Sequence, residues 1–162
     1  MAEEDQAMRF ATMEDPQKWD PGIDVKNTAH LKAIIAEIGW PSIPKVGADA
    51  ADKAWLLVQH ADKDKAFQAS CLELMRACTD GEVTKKNVAY LEDRVRVGRG
   101  EPQLYGTQFR PGPGDAFDSA PIEDPEGIDE RRASVGLDSY ADYRDRMLKH
   151  HREAEAKRKK SP

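Results

Sequence analysis

No stretch of this chain approaches the roughly 20 consecutive apolar residues that a helix needs to cross a bilayer. The N-terminus has no basic segment leading into an apolar run, so a secretory signal is not expected. Cysteine is nearly absent, with Cys71 and Cys78 the two among 162 residues. Seven positions apart on one helix, they would stand about 10 Å apart along its axis, too far for a disulfide. Reduced cysteines without leader or span give a cytoplasmic protein as the expectation. Cofactor signatures are missing too. "GPGD" at 112–115 has neither a strand–helix setting nor a phosphate-binding lysine. No paired cysteines or nucleophile elbow appear, and the neighbours His150 and His151 lack the i, i+4 spacing of metal-binding helices. Neither cofactor nor metal is expected.

What is abundant is charge, at 34% of residues against 39% hydrophobic, which fits polar tails on an ordinary domain. The charge is unevenly placed. Glu3, Glu4, Asp5, Glu14, Asp15, Asp20 and Asp24 face only Arg9 and Lys18 in residues 1–24, whereas 144–160 is basic. The basic cluster "KRKK" lacks interleaved aromatics, so specific nucleic-acid recognition is not expected. Residues 1–26 show no sustained period and read as an acidic, mostly irregular segment. The period then becomes helical. Asn27 or Thr28 is the expected cap of a helix carrying Leu31, Ile34, Ile35 and Ile38, closed by Gly39. Ala51, Ala54, Trp55, Leu57 and Val58 give the most apolar helix, expected at the centre of the core. Phe67, Cys71, Leu74, Met75 and Cys78 form a third stripe, and Val88, Leu91 and Val95 a fourth behind Thr84. Residues 98–127, rich in proline and glycine, are a connection of the length usually kept for function or disorder. Asp124–Pro125 signals a helix start and Gly136 a stop. Leu137, Tyr140, Tyr143 and Met147 give a last amphipathic helix, fraying beyond Lys149. The expected fold is mainly α: a single compact domain of five or six helices over 27–149, with irregular termini. It has at most a short two-stranded element around 103–109, and 150–162 is a basic tail.

Three segments carry a family resemblance: "GWPSIPKVGADAADKAWLLVQHADKDKAFQASCLELM", "NVAYLEDRVRVGRGEPQLYGTQF" and "PIEDPEGIDERRASVGLDSYADY". In this order, over about residues 38–143, they resemble a family of small bacterial proteins known only as a domain of unknown function. The resemblance implies one shared domain that includes the long connection. It implies no activity.

His60 is the first site candidate. It lies on the most apolar helix, beside Gln59 and two residues before Asp62, and imidazole titrates where a general base is useful. The plainer reading is a histidine at the core edge bonded to a backbone carbonyl. "QLYGTQF" is the second candidate. Alternation would put Gln103, Tyr105 and Thr107 on one face of a strand, with Gln108 beside them, to orient a small polar ligand. The alternative is an edge strand whose glutamines face water. Asp93 and Arg94 point about 100° apart on a helix, so each is expected to anchor a different loop, with Arg94 available to a carboxylate. Asp129, Arg131 and Arg132 are expected to form helix-surface salt bridges or to receive an anion. Trp40 could line a pocket. The chain thus reads as a small cofactor-independent enzyme doing hydrolysis, elimination or isomerisation on a small polar substrate. His60 and Tyr105 would be its acid–base groups, in one cavity, with Gln59, Arg94, Gln103, Gln108 and Trp40 binding substrate. The alternative is a non-catalytic ligand-binding or accessory protein.

Overall fold

The computed structural model describes residues 1–14, 20, 22–112 and 117–158. Most of the "GPGD" motif and the end of "KRKK" lie outside the described residues, as do Asp15, Pro16, Lys18 and Pro21. Within the described residues there are eight helices and one two-stranded antiparallel sheet. The chain contacts divide into two compact units, Met1–Val88 and Ala89–Pro162, with the division falling inside one helix.

The first unit is built on α4 (Ala48–His60), which packs against α1 (Ala2–Glu14), α2 (Gly22–Ile38), α3 (Ile43–Val46) and α5 (Lys65–Arg76). Ala51, Ala54, Leu57 and Val58 of α4 are buried, as the sequence period requires of a central helix. The Trp55 indole donates to the Asn87 carbonyl at 2.9 Å, so one edge of that ring meets a polar partner. Residues 2–14, expected to be irregular, are helical as α1. Its first turn is acidic, which suits the positive end of a helix dipole, and Lys53 reaches across to Glu3 at 3.1 Å. Helix α2 starts earlier than its expected cap. Asp20 accepts from the Gly22 amide at 2.8 Å, and Asn27 is buried inside the helix.

Helix α5 has Asp64 as its cap, accepting from the Phe67 amide at 3.0 Å. Its buried face is Phe67, Gln68, Cys71, Leu72 and Met75. The expected stripe included Leu74, and the structure corrects it: Leu74 is 36% exposed while Leu72 is 2% exposed. Gln68 explains the rotation. Its buried side-chain amide donates to the Val58 and Gln59 carbonyls at the end of α4, at 3.1 and 3.3 Å. That turns the 68/71/72/75 spacing inward. Leu72→Ala is therefore expected to cost about 2–5 kcal/mol, the range for buried leucine truncation. Leu74→Ala should stay within about 0.5 kcal/mol. Urea midpoints of the two variants check this, and equal losses would contradict the assigned face. Cys71 lies in the same core, where burial pushes its thiol up to about 12.

The second unit takes in most of α6 (Lys85–Gly98), strands β1 (Phe109–Pro111) and β2 (Phe117–Ser119), α7 (Ile128–Ser134) and α8 (Tyr140–Arg158). The strands pair antiparallel with Phe109 opposite Ser119. Asp124 adopts a left-handed φ of 46°, so the chain turns there and α7 starts only at Ile128. Asp129 accepts from the Tyr140 amide at 2.7 Å and fixes the start of α8. Helix α8 runs on to Arg158, past the end of its apolar face. Strong helix formers fill that extension, and His151 stacks on Phe117 with centroids 4.2 Å apart.

Candidate functional site

The strand expected at "QLYGTQF" is confined to an isolated bridge at Gln103 and to Phe109, which opens β1; the segment between them is not a strand. It is a bend folded around one carboxylate of α6. Asp93 is 0% exposed and accepts from the Leu104 amide at 2.7 Å, the Tyr105 amide at 3.0 Å and the Thr107 amide at 2.9 Å. The Thr107 hydroxyl donates to it as well, at 2.9 Å. Gly106 makes this turn possible with a φ of 68°, and a Cβ there would stand 2.6 Å from the Tyr140 ring.

Gln103, 0% exposed, acts as a strut between three main-chain groups. Its side-chain nitrogen donates to the Ala120 and Gln108 carbonyls at 2.8 and 3.1 Å, and its oxygen accepts from the Gln108 amide at 2.8 Å. The Gln108 side chain donates to the Thr107 hydroxyl oxygen at 3.0 Å. Tyr105 is held at its amide by Asp93 and at its carbonyl by Arg132, at 2.5 Å, with its side chain half-buried. Arg131 donates to the carbonyls of Leu104, Glu123 and Asp124. So Asp93, Gln103, Gln108, Arg131 and Arg132 form one polar lattice with backbone as its main acceptor and donor. Arg94 is half-buried on α6.

The first unit holds a different arrangement. His60, the last residue of α4, has Nδ1 2.7 Å from Oδ2 of Asp5, a carboxylate that is 0% exposed. Arg9, one turn beyond Asp5 on α1, reaches Asp5 with Nε at 3.2 Å and Nη2 at 3.2 Å. The same Nη2 donates to Asp24 of α2 at 2.6 Å, and Nε stands 3.0 Å from His60 Nδ1. Three helices thus deliver two carboxylates, one guanidinium and one imidazole to a single point. Nε2 of His60 has no hydrogen-bond partner among the described residues.

Burial holds His60 below the ordinary imidazole value, with Asp5 pulling it up and Arg9 pushing it down. Burial likewise lifts Asp24 above the usual carboxylate range, against the lowering effect of Arg9, while Asp5 and Asp62 add to the rise. Asp24 and Ala61 also line a cavity of about 270 Å³, together with Thr28, Lys32, Lys63 and Asp64. Lys32 pairs with Asp64 across it at 2.5 Å. His60 is not among the lining residues. Trp40 is buried elsewhere in this unit, beside a void of about 10 Å³ shared with Trp55 and Asn87, room for no more than a water. Gln59 is buried, and its carbonyl accepts from Gln68. Among the described residues, no three His, Cys, Asp or Glu side chains gather as metal ligands.

His60 was legible from the sequence, whereas Asp5, Arg9 and Asp24 were not. The i, i+4 spacing of Asp5 and Arg9 was a usable signal, hidden by the absence of an apolar stripe around it. His60 belongs to the first unit and Tyr105 to the second.

A family model described as a family of unknown function (DUF6624) matches residues 1–155, and the chain belongs to that family. The match takes in the helix that carries Asp5 and Arg9, which the resemblance over 38–143 left out. No curated protein and no solved structure matches.

Proposed function

We propose that this protein is a cofactor-independent enzyme that removes a proton from a small polar substrate or from water. His60 is the general base and Asp5 the residue that orients it. The observation that carries the reading is the 2.7 Å contact between His60 Nδ1 and a fully buried carboxylate. Two lone pairs do not approach so closely, so a proton lies between them. With Asp5 ionised, that proton sits on Nδ1 and the second ring nitrogen carries the lone pair. Burial keeps the imidazole neutral near neutral pH, which is the form a base needs. Hydrolysis, elimination and isomerisation each use such a group, the first on water and the others on a C–H bond. The cavity at Asp24 supplies space for a small polar molecule next to this cluster.

One observation favours the other reading, a non-catalytic ligand-binding protein: the cavity is lined by Asp24 and Ala61 but not by His60. The two readings separate experimentally. The purified chain is offered panels of small esters, amides and hydroxy acids, with turnover followed against pH. The expected rate is flat at neutral pH and falls as acid protonates His60, through a midpoint below the ordinary imidazole value. His60→Ala and Asp5→Asn should remain helical by circular dichroism and lose about 10²–10⁴-fold in kcat/KM. Full activity in His60→Ala would remove the proposal. Binding of a panel compound to both wild type and His60→Ala, without turnover in either, would establish the ligand-binding reading instead.

A further inference from the structure

The reading of His60 as a base leaves Arg9 unexplained, since a cation beside a histidine–carboxylate pair does not help to orient the ring. We propose that Arg9, clamped between Asp5 and Asp24, is a positioning residue that keeps the Asp5–His60 pair as neutral imidazole and ionised carboxylate. The proposal rests on the function proposed above, but its test needs no substrate.

The geometry carries it. Arg9 Nε lies 3.0 Å from His60 Nδ1 and 3.2 Å from Asp5 Oδ2, while those two atoms are themselves 2.7 Å apart. A proton on Nδ1 occupies the line to Oδ2, so Nδ1 has no lone pair left for Arg9. The Nε–H bond therefore belongs to Oδ2, and Nη2 donates to Oδ1 of the same carboxylate at 3.2 Å. Asp5 is gripped by two guanidinium nitrogens on its two oxygens, a geometry that a planar guanidinium makes and an ammonium does not. Asp24 accepts from the same Nη2 at 2.6 Å, which holds the guanidinium from the α2 side.

The charges that face His60 are Asp5 and Arg9 from α1 and Asp24 from α2. Asp62, two residues on, acts on Asp24. From the other neighbours, Lys45 of α3 is engaged with the Ile38 and Trp40 carbonyls, and Lys65 of α5 with Asp62. With Arg9 in place, one cation offsets the carboxylates. Without it, Asp5 and Asp24 would both stabilise an imidazolium unopposed by any cation among the described residues, and the His60 midpoint would rise. Arg9 opposes that protonation in the same direction as burial, which is the larger effect. A base that stays protonated is no base. Arg9 therefore adds to burial in widening the pH range over which the site can work.

The test is an NMR titration of His60 in the full chain, as wild type, Arg9→Gln, Arg9→Lys and Asp24→Asn. The wild-type midpoint should lie below the ordinary imidazole value, with nitrogen shifts showing the proton on Nδ1. Arg9→Gln should raise the midpoint by about one to two pH units, the size of effect a nearby charge has on such a group. Arg9→Lys keeps the charge and should restore most of the wild-type midpoint. Asp24→Asn removes a carboxylate and should lower the midpoint or leave it in place. A folded Arg9→Gln with an unshifted or lowered midpoint would overturn the proposal, as would a raised midpoint in Asp24→Asn. If Arg9→Gln does not fold, Arg9→Lys and Asp24→Asn decide by the same criteria. These results are independent of turnover. An unshifted midpoint in a chain that needs His60 for activity sinks only the role of Arg9. A shifted midpoint in a chain without activity sinks only the enzyme.

Discussion

Asp93→Ala is expected to destabilise the protein by about 3–5 kcal/mol, the range for breaking a buried charged partner. The reason is the number of donors that one side chain serves. Asp93 accepts from three consecutive-region amides, those of Leu104, Tyr105 and Thr107, and from the Thr107 hydroxyl. Each buried donor left without an acceptor costs about 1–3 kcal/mol, and water admitted by loop opening recovers only part of it. The bend has little else to hold this shape. Gly106 takes a left-handed conformation, and its neighbours use their amides on the carboxylate rather than in a ladder. Asp93→Asn should cost less than alanine but move in the same direction, because its amide nitrogen faces donors with a donor. Equilibrium unfolding in urea measures both. An Asp93→Ala midpoint equal to wild type would mean that the amides find other partners, and the lattice around Asp93 would lose its structural role.

That lattice shows why the sequence misled at this point. Alternating polar residues around Gly106 look like a strand presenting hydrogen-bonding tips to a ligand. A period of two cannot reveal that a buried carboxylate eleven to fourteen residues earlier takes up the amides. Nor does it show Gln103 bridging Gln108 and Ala120. Apolar periods fared better. The central position of α4 followed from Ala51, Ala54, Leu57 and Val58, and Leu91 and Val95 are buried on α6 as their spacing requires. Where a polar side chain is inside, the pattern slips: Gln68 turns α5 far enough to exchange Leu74 for Leu72. Helix α1 is the extreme case, because among its described side chains the buried ones are Ala2 and Asp5, an acid that no hydrophobic pattern counts. The candidate site suffered the same blindness. His60 stood out because it lies on the most apolar helix close to a carboxylate in sequence. Its partners are charged residues on two other helices, and only three-dimensional packing brings them to it.

Arg132→Met is the second large effect, expected at about 3–5 kcal/mol. Arg132 is 0% exposed, so its charge is sustained entirely by what surrounds it. Nε donates to the Asp138 carbonyl at 2.6 Å, Nη1 to the Tyr105 carbonyl at 2.5 Å and Nη2 to the Asp138 carboxylate at 3.1 Å. The guanidinium also lies over the Tyr143 ring, 4.8 Å from its centroid. Burial pushes the Tyr143 phenol up, so it keeps its proton and donates to the Thr107 carbonyl at 3.2 Å. Methionine fills much of the volume but leaves two carbonyls without their donor, and it withdraws the cation from the ring. Asp138 loses less, since Arg146 also pairs with it at 2.8 Å. Arg132→Lys separates charge from shape. An ammonium keeps the charge but cannot serve three acceptors in a plane while stacking on a ring. Lysine is therefore expected to recover under half of the loss. Thermal and urea unfolding of the three proteins decide the matter. Full recovery by lysine would show that charge alone is needed, and a methionine variant as stable as wild type would show that the buried arginine contributes nothing to holding Tyr105 in place.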